Sequence, residues 1–221
     1  MYNNLKSFLQ NNKWMLICHI FMTIAGIIVL SLFDKFQILI FVNSLHTLLL
    51  DFLMYHLTRI PELSIVLFTF VLSFLFEKRI FLAVILSFLI AILIIFSLKF
   101  MVFSDIKRPL EWISKNAHIQ LHFNPNVKLH LNSSFPSGHT FAAFCSMTCL
   151  ALITKNGWLQ FFFFLVAFAM GISRVYVLQH YFLDVFFGAQ IGFWVAFLVH
   201  FYITRNLTTP KWRQPILNIL N

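Results

Sequence analysis

Ser173 to Asp184 reads SRVYVLQHYFLD and places an arginine, a histidine and an aspartate between two long apolar runs. Only 10% of the 221 residues are charged, and ionisable side chains at membrane depth are costly unless they are paired or used. His180 and Asp184 are four apart, so on a helix they share one face within side-chain reach. A carboxylate in that position fixes an imidazole's tautomer and orientation, as a nucleophilic histidine requires. Taken alone, the stretch reads equally well as a satisfied intramembrane ion pair.

Two further polar clusters change that balance. Lys99 to Pro109 follows one apolar run, and Ser134-Phe-Pro-Ser-Gly-His139 opens another. If the three clusters meet at one end of a bundle, Lys99, Arg108 and Arg174 converge with His139 and His180. Three cations beside a helix start describe a site for a multiply charged oxyanion. The sequence predicts Ser134 as the N-cap and Pro136 in the first turn, with Ser137 and Gly138 offering free backbone amides. Arginine's planar fork suits two phosphate oxygens, whereas Lys99 acts as a point charge. Two histidines at such a site divide into nucleophile and acid. His180, held by Asp184, attacks phosphorus; His139 protonates the leaving oxygen and then helps water attack the phosphohistidine. The cations stabilise the transferring phosphoryl group, and no metal or other cofactor is needed.

The elements that must position these residues are membrane helices. Sixty per cent of residues are hydrophobic and thirty are phenylalanine. Several runs lack charge for close to the roughly 20 residues that a spanning helix needs. This composition excludes a soluble domain and predicts one all-α, polytopic membrane domain over residues 1–221, a six-transmembrane-helix bundle. The expected spans are Met15 to Phe33, Leu63 to Phe76, Ile80 to Leu98, Thr140 to Ile153, Trp158 to Ile172 and Val185 to Thr204. Asp34 to Glu62 is apolar but punctuated by Gln37, Asn43, His46, Asp51, His56 and Arg59. It is expected on the membrane surface or packed over the bundle. The first run has no small-x-small cleavage site and reads as an uncleaved helix rather than a signal peptide.

Six spans put both termini on one side, with Lys6, Lys13, Lys78, Arg79, Lys155, Arg205, Lys211 and Arg213 against a single acid, Glu77. That excess predicts cytoplasmic termini in a bacterial inner membrane and a site on the periplasmic or extracellular face. The same flanking cations account for the net charge of +9, and no soluble basic stretch supports nucleic-acid binding. Cys18, Cys145 and Cys149 read as small buried hydrophobes. His118 and His122, four apart, and His130 lie in the polar interval. No cysteine or carboxylate is expected to complete a metal set there, so headgroup contact is the expectation. Asp105 and Glu111 are expected to pair with Arg108 or Lys107.

The blocks resemble the type 2 phosphatidic acid phosphatases, whose fold also serves vanadium haloperoxidases. The family pattern is Lys, six residues, Arg-Pro; then Pro-Ser-Gly-His; then Ser-Arg, five residues, His, three residues, Asp. Pro136 to His139 and Ser173 to Asp184 match the second and third blocks in full. In the first block, eight residues rather than six separate Lys99 from Arg108-Pro109, and Lys107 is a competing cation. A two-residue insertion at the helix exit would keep Lys99 in place. The resemblance covers about residues 63–204. It implies a membrane phosphatase acting on a phosphorylated membrane lipid, with His180, His139 and Asp184 catalytic and Lys99, Arg108, Ser137, Gly138 and Arg174 holding phosphate. The substrates it leaves open are undecaprenyl diphosphate, a lipid A phosphate, phosphatidic acid and phosphatidylglycerol phosphate. The alternative is a non-catalytic protein that binds lipid phosphate or transports anions, which would not require the acid–nucleophile pair. A haloperoxidase fits the membrane architecture poorly.

Overall fold

The structure, a computed structural model, describes residues 5–59 and 62–216. Ten α-helices run in order: α1 (Leu5–Asn11), α2 (Lys13–Leu32), α3 (Lys35–Ser44), α4 (Leu48–Arg59), α5 (Glu62–Ser73), α6 (Lys78–Phe96), α7 (Pro109–Lys115), α8 (Gly138–Ile153), α9 (Gly157–Tyr176) and α10 (Phe182–Asn206). A π-helical turn, Ser97–Val102, extends α6, and a 3-10 turn, Pro210–Arg213, follows α10.

The helix α8 is apolar on every side, and all its residues from Thr140 to Leu152 are buried. A helix with no polar face has to be enclosed, and α5, α6, α9 and α10 surround it. Its closest neighbour is α10, where glycines allow the two backbones to approach. A Cβ at Gly192 would stand 2.4 Å from the Phe141 carbonyl oxygen and 2.9 Å from the Cys145 nitrogen. One at Gly188 would stand 2.6 Å from the Ser137 carbonyl oxygen, so the same device docks α10 against the start of α8. Small residues serve this purpose in membranes, where packing rather than the hydrophobic effect drives helix association. Cys145 and Cys149 are buried free thiols in this core, and Cys18 is a half-buried one.

Among the described residues, four helices are long and apolar enough to cross a membrane: Lys13–Leu32, Lys78–Val102, Gly157–Tyr176 and Phe182–Asn206. Helices α3 and α4 make a fifth span if counted together, but they are bent by 119° at their junction. The sequence predicts six. The two predicted spans that fall short are the apolar helices Ser64–Ser73 and Gly138–Ile153, which rise about 15 and 24 Å against a hydrocarbon core of roughly 30 Å.

The stretch from Asp34 is helical, and α3 and α4 both pack against α9; Ile60 and Pro61 lie outside the described residues. A capping box starts α3: Asp34 Oδ1 accepts from the amides of Phe36 (2.7 Å) and Gln37 (3.1 Å), and Gln37 Oε1 accepts from the Asp34 amide (3.0 Å). Exposed Leu48, Leu49, Phe52 and Leu53 form the outer face of α4, while Asp51 and Thr58 turn inward to bond with α9.

Replacing Gly192 by Ala should force α8 and α10 apart and cost about 1–3 kcal/mol, as overpacking does elsewhere. The expected reading is a lower unfolding midpoint in detergent, with no comparable change for Gly26→Ala, which meets only the movable ring of Phe186.

Candidate active site

The turn that carries His180 is set by how α9 ends. Leu178 has a left-handed backbone (φ 60°). Its amide bonds to the Val175 carbonyl (3.0 Å), and the Gln179 amide bonds to the Arg174 carbonyl (2.9 Å). This is a Schellman ending, in which glycine normally takes the left-handed position. A leucine there costs roughly 1–2 kcal/mol. Leu178 offsets that cost by burying its side chain among Leu39, Ile113, Val175, Tyr181 and Val185, which is worth about 1.5–3 kcal/mol. The His180 amide also bonds to the Arg174 carbonyl, at 3.2 Å. The backbone of one phosphate-binding candidate therefore fixes the start of the nucleophile candidate.

The expected His180–Asp184 pair is present, with Nδ1 3.3 Å from Oδ2 and both residues buried. The same Oδ2 accepts from the Tyr181 amide (3.0 Å) and from the Ser134 hydroxyl (2.5 Å). An Nδ1–H directed at Asp184 leaves the lone pair on Nε2, the atom that could attack. Burial pushes the imidazole pKa from its ordinary 6.5 to about 3; Asp184 opposes this, and the charges of Arg108 and Arg174 add to it. At neutral pH the ring is therefore uncharged and nucleophilic.

The start of α8 differs from the expectation. Its N-cap is Ser137, whose Oγ accepts from the Thr140 amide (3.4 Å) and hydroxyl (2.9 Å). Ser134 bonds to the Asp184 carboxylate instead. The Ser137 amide donates to the Asp184 backbone carbonyl at 3.0 Å, so it is engaged inside the protein rather than open to an anion. Gly138 and His139 occupy the first two helical positions, and His139 is half-buried.

Arg174 is buried, and its guanidinium donates to the Thr58 hydroxyl and lies 3.5 Å from the Thr58 carbonyl. Arg108 reaches across from the first block. Its Nε donates to the Asn132 carbonyl (2.8 Å) and a terminal nitrogen donates to Gln179 Oε1 (3.0 Å). Burial first, and then the charges of Arg108, Lys128, Arg174 and His139, push His130 below its ordinary pKa. The three blocks are thus brought to one end of the bundle. Lys99 sits half-buried on the π-helical turn Ser97–Val102. Such a turn accommodates extra residues within a helix, which gives a physical reason for the long spacer before Arg108. Lys107 is exposed and donates to Asn132 Oδ1 at 2.8 Å.

Several secondary expectations resolve differently. Glu111 pairs with Lys115 at 2.8 Å, not with Arg108 or Lys107. The loop carrying His118 and His122 is not helical. A carboxylate does reach it: Asp51 Oδ2 lies 2.9 Å from His122 Nε2, while Asp51 Oδ1 accepts from the Tyr176 hydroxyl at 2.6 Å. His46 stacks on His122 at 4.3 Å. Among the described residues no three His, Cys, Asp or Glu side chains are grouped to hold a metal. Sequence reasoning missed Thr58, Asp51 and Gln179. The available signal was the seven-residue spacing of Asp51 and Thr58, which shares a helix face.

The described fold is all-helical, with helices long and apolar enough to cross a membrane. The chain belongs to the PAP2 superfamily, whose family model matches residues 80–207. It is 38% identical over 81 residues to the bacitracin transport permease protein BcrC of Bacillus licheniformis, a match covering 33% of this chain and 38% of that protein. The matched part therefore spans well under two thirds of that relative. The crystal structure of Aquifex aeolicus LpxE superposes with a TM-score of 0.60 at 29% identity, covering 74% of this chain and 93% of LpxE. The family and the apolar helices make the chain an integral membrane protein.

The shifted imidazole predicts a pH effect on stability. Because the folded pKa of about 3 lies below 6.5, the unfolded chain binds the extra proton. The contribution of this group is complete above about pH 6.5 and declines as pH falls toward 3. The unfolding midpoint in detergent should drop between about pH 6.5 and 4, and drop less in a His180→Asn variant.

Proposed function

We propose that the protein is a metal-independent phosphatase that hydrolyses a membrane lipid phosphate or diphosphate through a phosphohistidine. The observation that carries this reading is the buried, neutral His180 held by Asp184 beside two guanidinium groups. Binding alone needs cations, not an oriented imidazole with its lone pair on the outer nitrogen. In the first step His180 Nε2 bonds to phosphorus as the bond to the leaving oxygen breaks, and His139 gives that oxygen its proton. In the second, water bonds to phosphorus and passes a proton to His139 as the phosphorus–nitrogen bond breaks, which returns the electron pair to His180 Nε2 and releases inorganic phosphate. Lys99, Arg108 and Arg174 hold the phosphoryl oxygens, and the backbone amide of Gly138 at the start of α8 completes the cradle, the Ser137 amide being engaged by Asp184. A site at one end of a membrane bundle suits a substrate that arrives by lateral diffusion. Undecaprenyl diphosphate, a lipid A phosphate, phosphatidic acid and phosphatidylglycerol phosphate all fit this description. Each side carries eight Lys and Arg, but those on the terminal side face a single acid. That uncompensated charge favours cytoplasmic termini in a bacterial inner membrane and an outward-facing site, and such a site favours the first two lipids.

The test is phosphate release from these four lipids by the detergent-solubilised protein with EDTA present. Activity on at least one is expected, and His180→Ala should abolish it while the variant remains folded. Failure on every lipid would favour the non-catalytic binding reading. Lys99→Met should lower kcat/KM by about tenfold or more, and Lys107→Met by much less; the reverse order would transfer the first-block lysine role to Lys107.

A further inference from the structure

We propose that Gln179 and Thr58, neither a fixed position of the three blocks, are positioning residues that pre-set Arg108 and Arg174 for the phosphoryl group. This rests on the phosphate-binding role proposed for the two arginines.

Gln179 is buried, at 2% exposure, and both ends of its amide are used. Its Oε1 accepts from Arg108 at 3.0 Å, and its Nε2 donates to the Lys128 carbonyl at 2.6 Å. A guanidinium requires an acceptor and a carbonyl requires a donor, so an amide matches both neighbours where a carboxylate or an apolar chain would not. The Gln179 backbone contributes as well. Its carbonyl lies 3.4 Å from the Arg108 guanidinium, and its amide bonds to the Arg174 carbonyl. One residue next to His180 thus sets the position of Arg108 and ties it to the strand of chain that holds Arg174.

Thr58 does the corresponding work for Arg174. It is buried, at 7% exposure, and its hydroxyl accepts from the guanidinium. It comes from α4, outside the residues that the family model matches, and two helical turns earlier Asp51 accepts from the Tyr176 hydroxyl, which ties the same helix to α9. Arginine has a long side chain with many rotamers. Fixing it before the anion arrives lowers the ordering cost of binding and keeps its charge aimed where the transition state needs it.

The test is calorimetric binding of orthovanadate, a tetrahedral oxyanion like phosphate, to the full-length chain in detergent, alongside unfolding midpoints. Gln179→Met and Thr58→Val keep side-chain volume and remove the hydrogen bonds. Each should weaken orthovanadate binding by about tenfold, and Thr58→Ser should restore it to within about twofold. In an Arg108→Ala background Gln179→Met should add nothing further, because it acts through that arginine. Lower midpoints with unchanged binding by the folded protein would reduce both residues to a structural role and overturn the proposal, as would a full additional loss in the Arg108→Ala background. If Arg108→Ala and Arg174→Ala leave binding unchanged, the phosphate-site reading itself falls. If they weaken it while Gln179→Met and Thr58→Val do not, only the positioning role falls.

Discussion

The end of the bundle that carries the candidate site depends on one oxygen atom, Asp184 Oδ2. It accepts from the His180 imidazole, the Tyr181 amide and the Ser134 hydroxyl, while the Asp184 carbonyl accepts from the Ser137 amide. The donors come from the turn after α9 and from the segment that opens α8. Displacing either segment would leave the others facing a buried carboxylate with too few partners, which is costly in a low-dielectric interior. The turn that carries His180 and the Pro-Ser-Gly-His segment are therefore placed together or not at all. Family blocks that are distant in the chain become one object at this atom.

The scaffold that allows this is a packing solution rather than a hydrophobic one, since lipid is as apolar as the helices it surrounds. Gly188 and Gly192 bring the backbone of α10 against α8, and the same approach delivers Asp184, one turn before Gly188, to the start of α8. A fully enclosed α8 leaves its first turn as the only part with polar work to do. The long lipid-exposed α2 contributes to the bundle from outside, with His19 bonded to Gln190 at 3.0 Å and stacked on Phe193 at 3.6 Å.

Much of the site was legible because its residues lie at short, fixed separations. The four-residue spacing did bring His180 and Asp184 together, and Arg174 stands close behind them. The two do not share one helix face, however, since His180 sits on the turn before α10 and Asp184 in its first turn. Less was legible where a bond depends on how distant segments meet. Ser134 and Ser137 are both good caps in sequence, and only the arrival of Asp184 decides that the first bonds to the carboxylate and the second caps the helix. Asp51 read as an expense to be kept at the surface; its partners Tyr176 and His122 lie 125 and 71 residues away. The span count followed apolar runs faithfully, but run length does not report that α5 and α8 stop short or that α3 and α4 break by 119°. The spacer after Lys99 looked like a departure from the family pattern, and the π-helical turn supplies local geometry that can absorb it.

The segment between α7 and α8 has almost no regular structure, yet side chains fasten it at intervals. Asn43 exchanges two bonds with the backbone of His122, Gln179 grips the Lys128 carbonyl, and Arg108 takes the Asn132 carbonyl. Between the first two fasteners lies a small exposed turn, in which the Val127 amide bonds to the Asn124 carbonyl. Chain length is consequently not equivalent along this loop. Residues added at the Asn124–Val127 turn would bulge into solvent with every fastener still in register, whereas residues added between Lys128 and Asn132 would draw the acceptor away from Arg108. Divergence in loop length should concentrate at the first place and be scarce at the second.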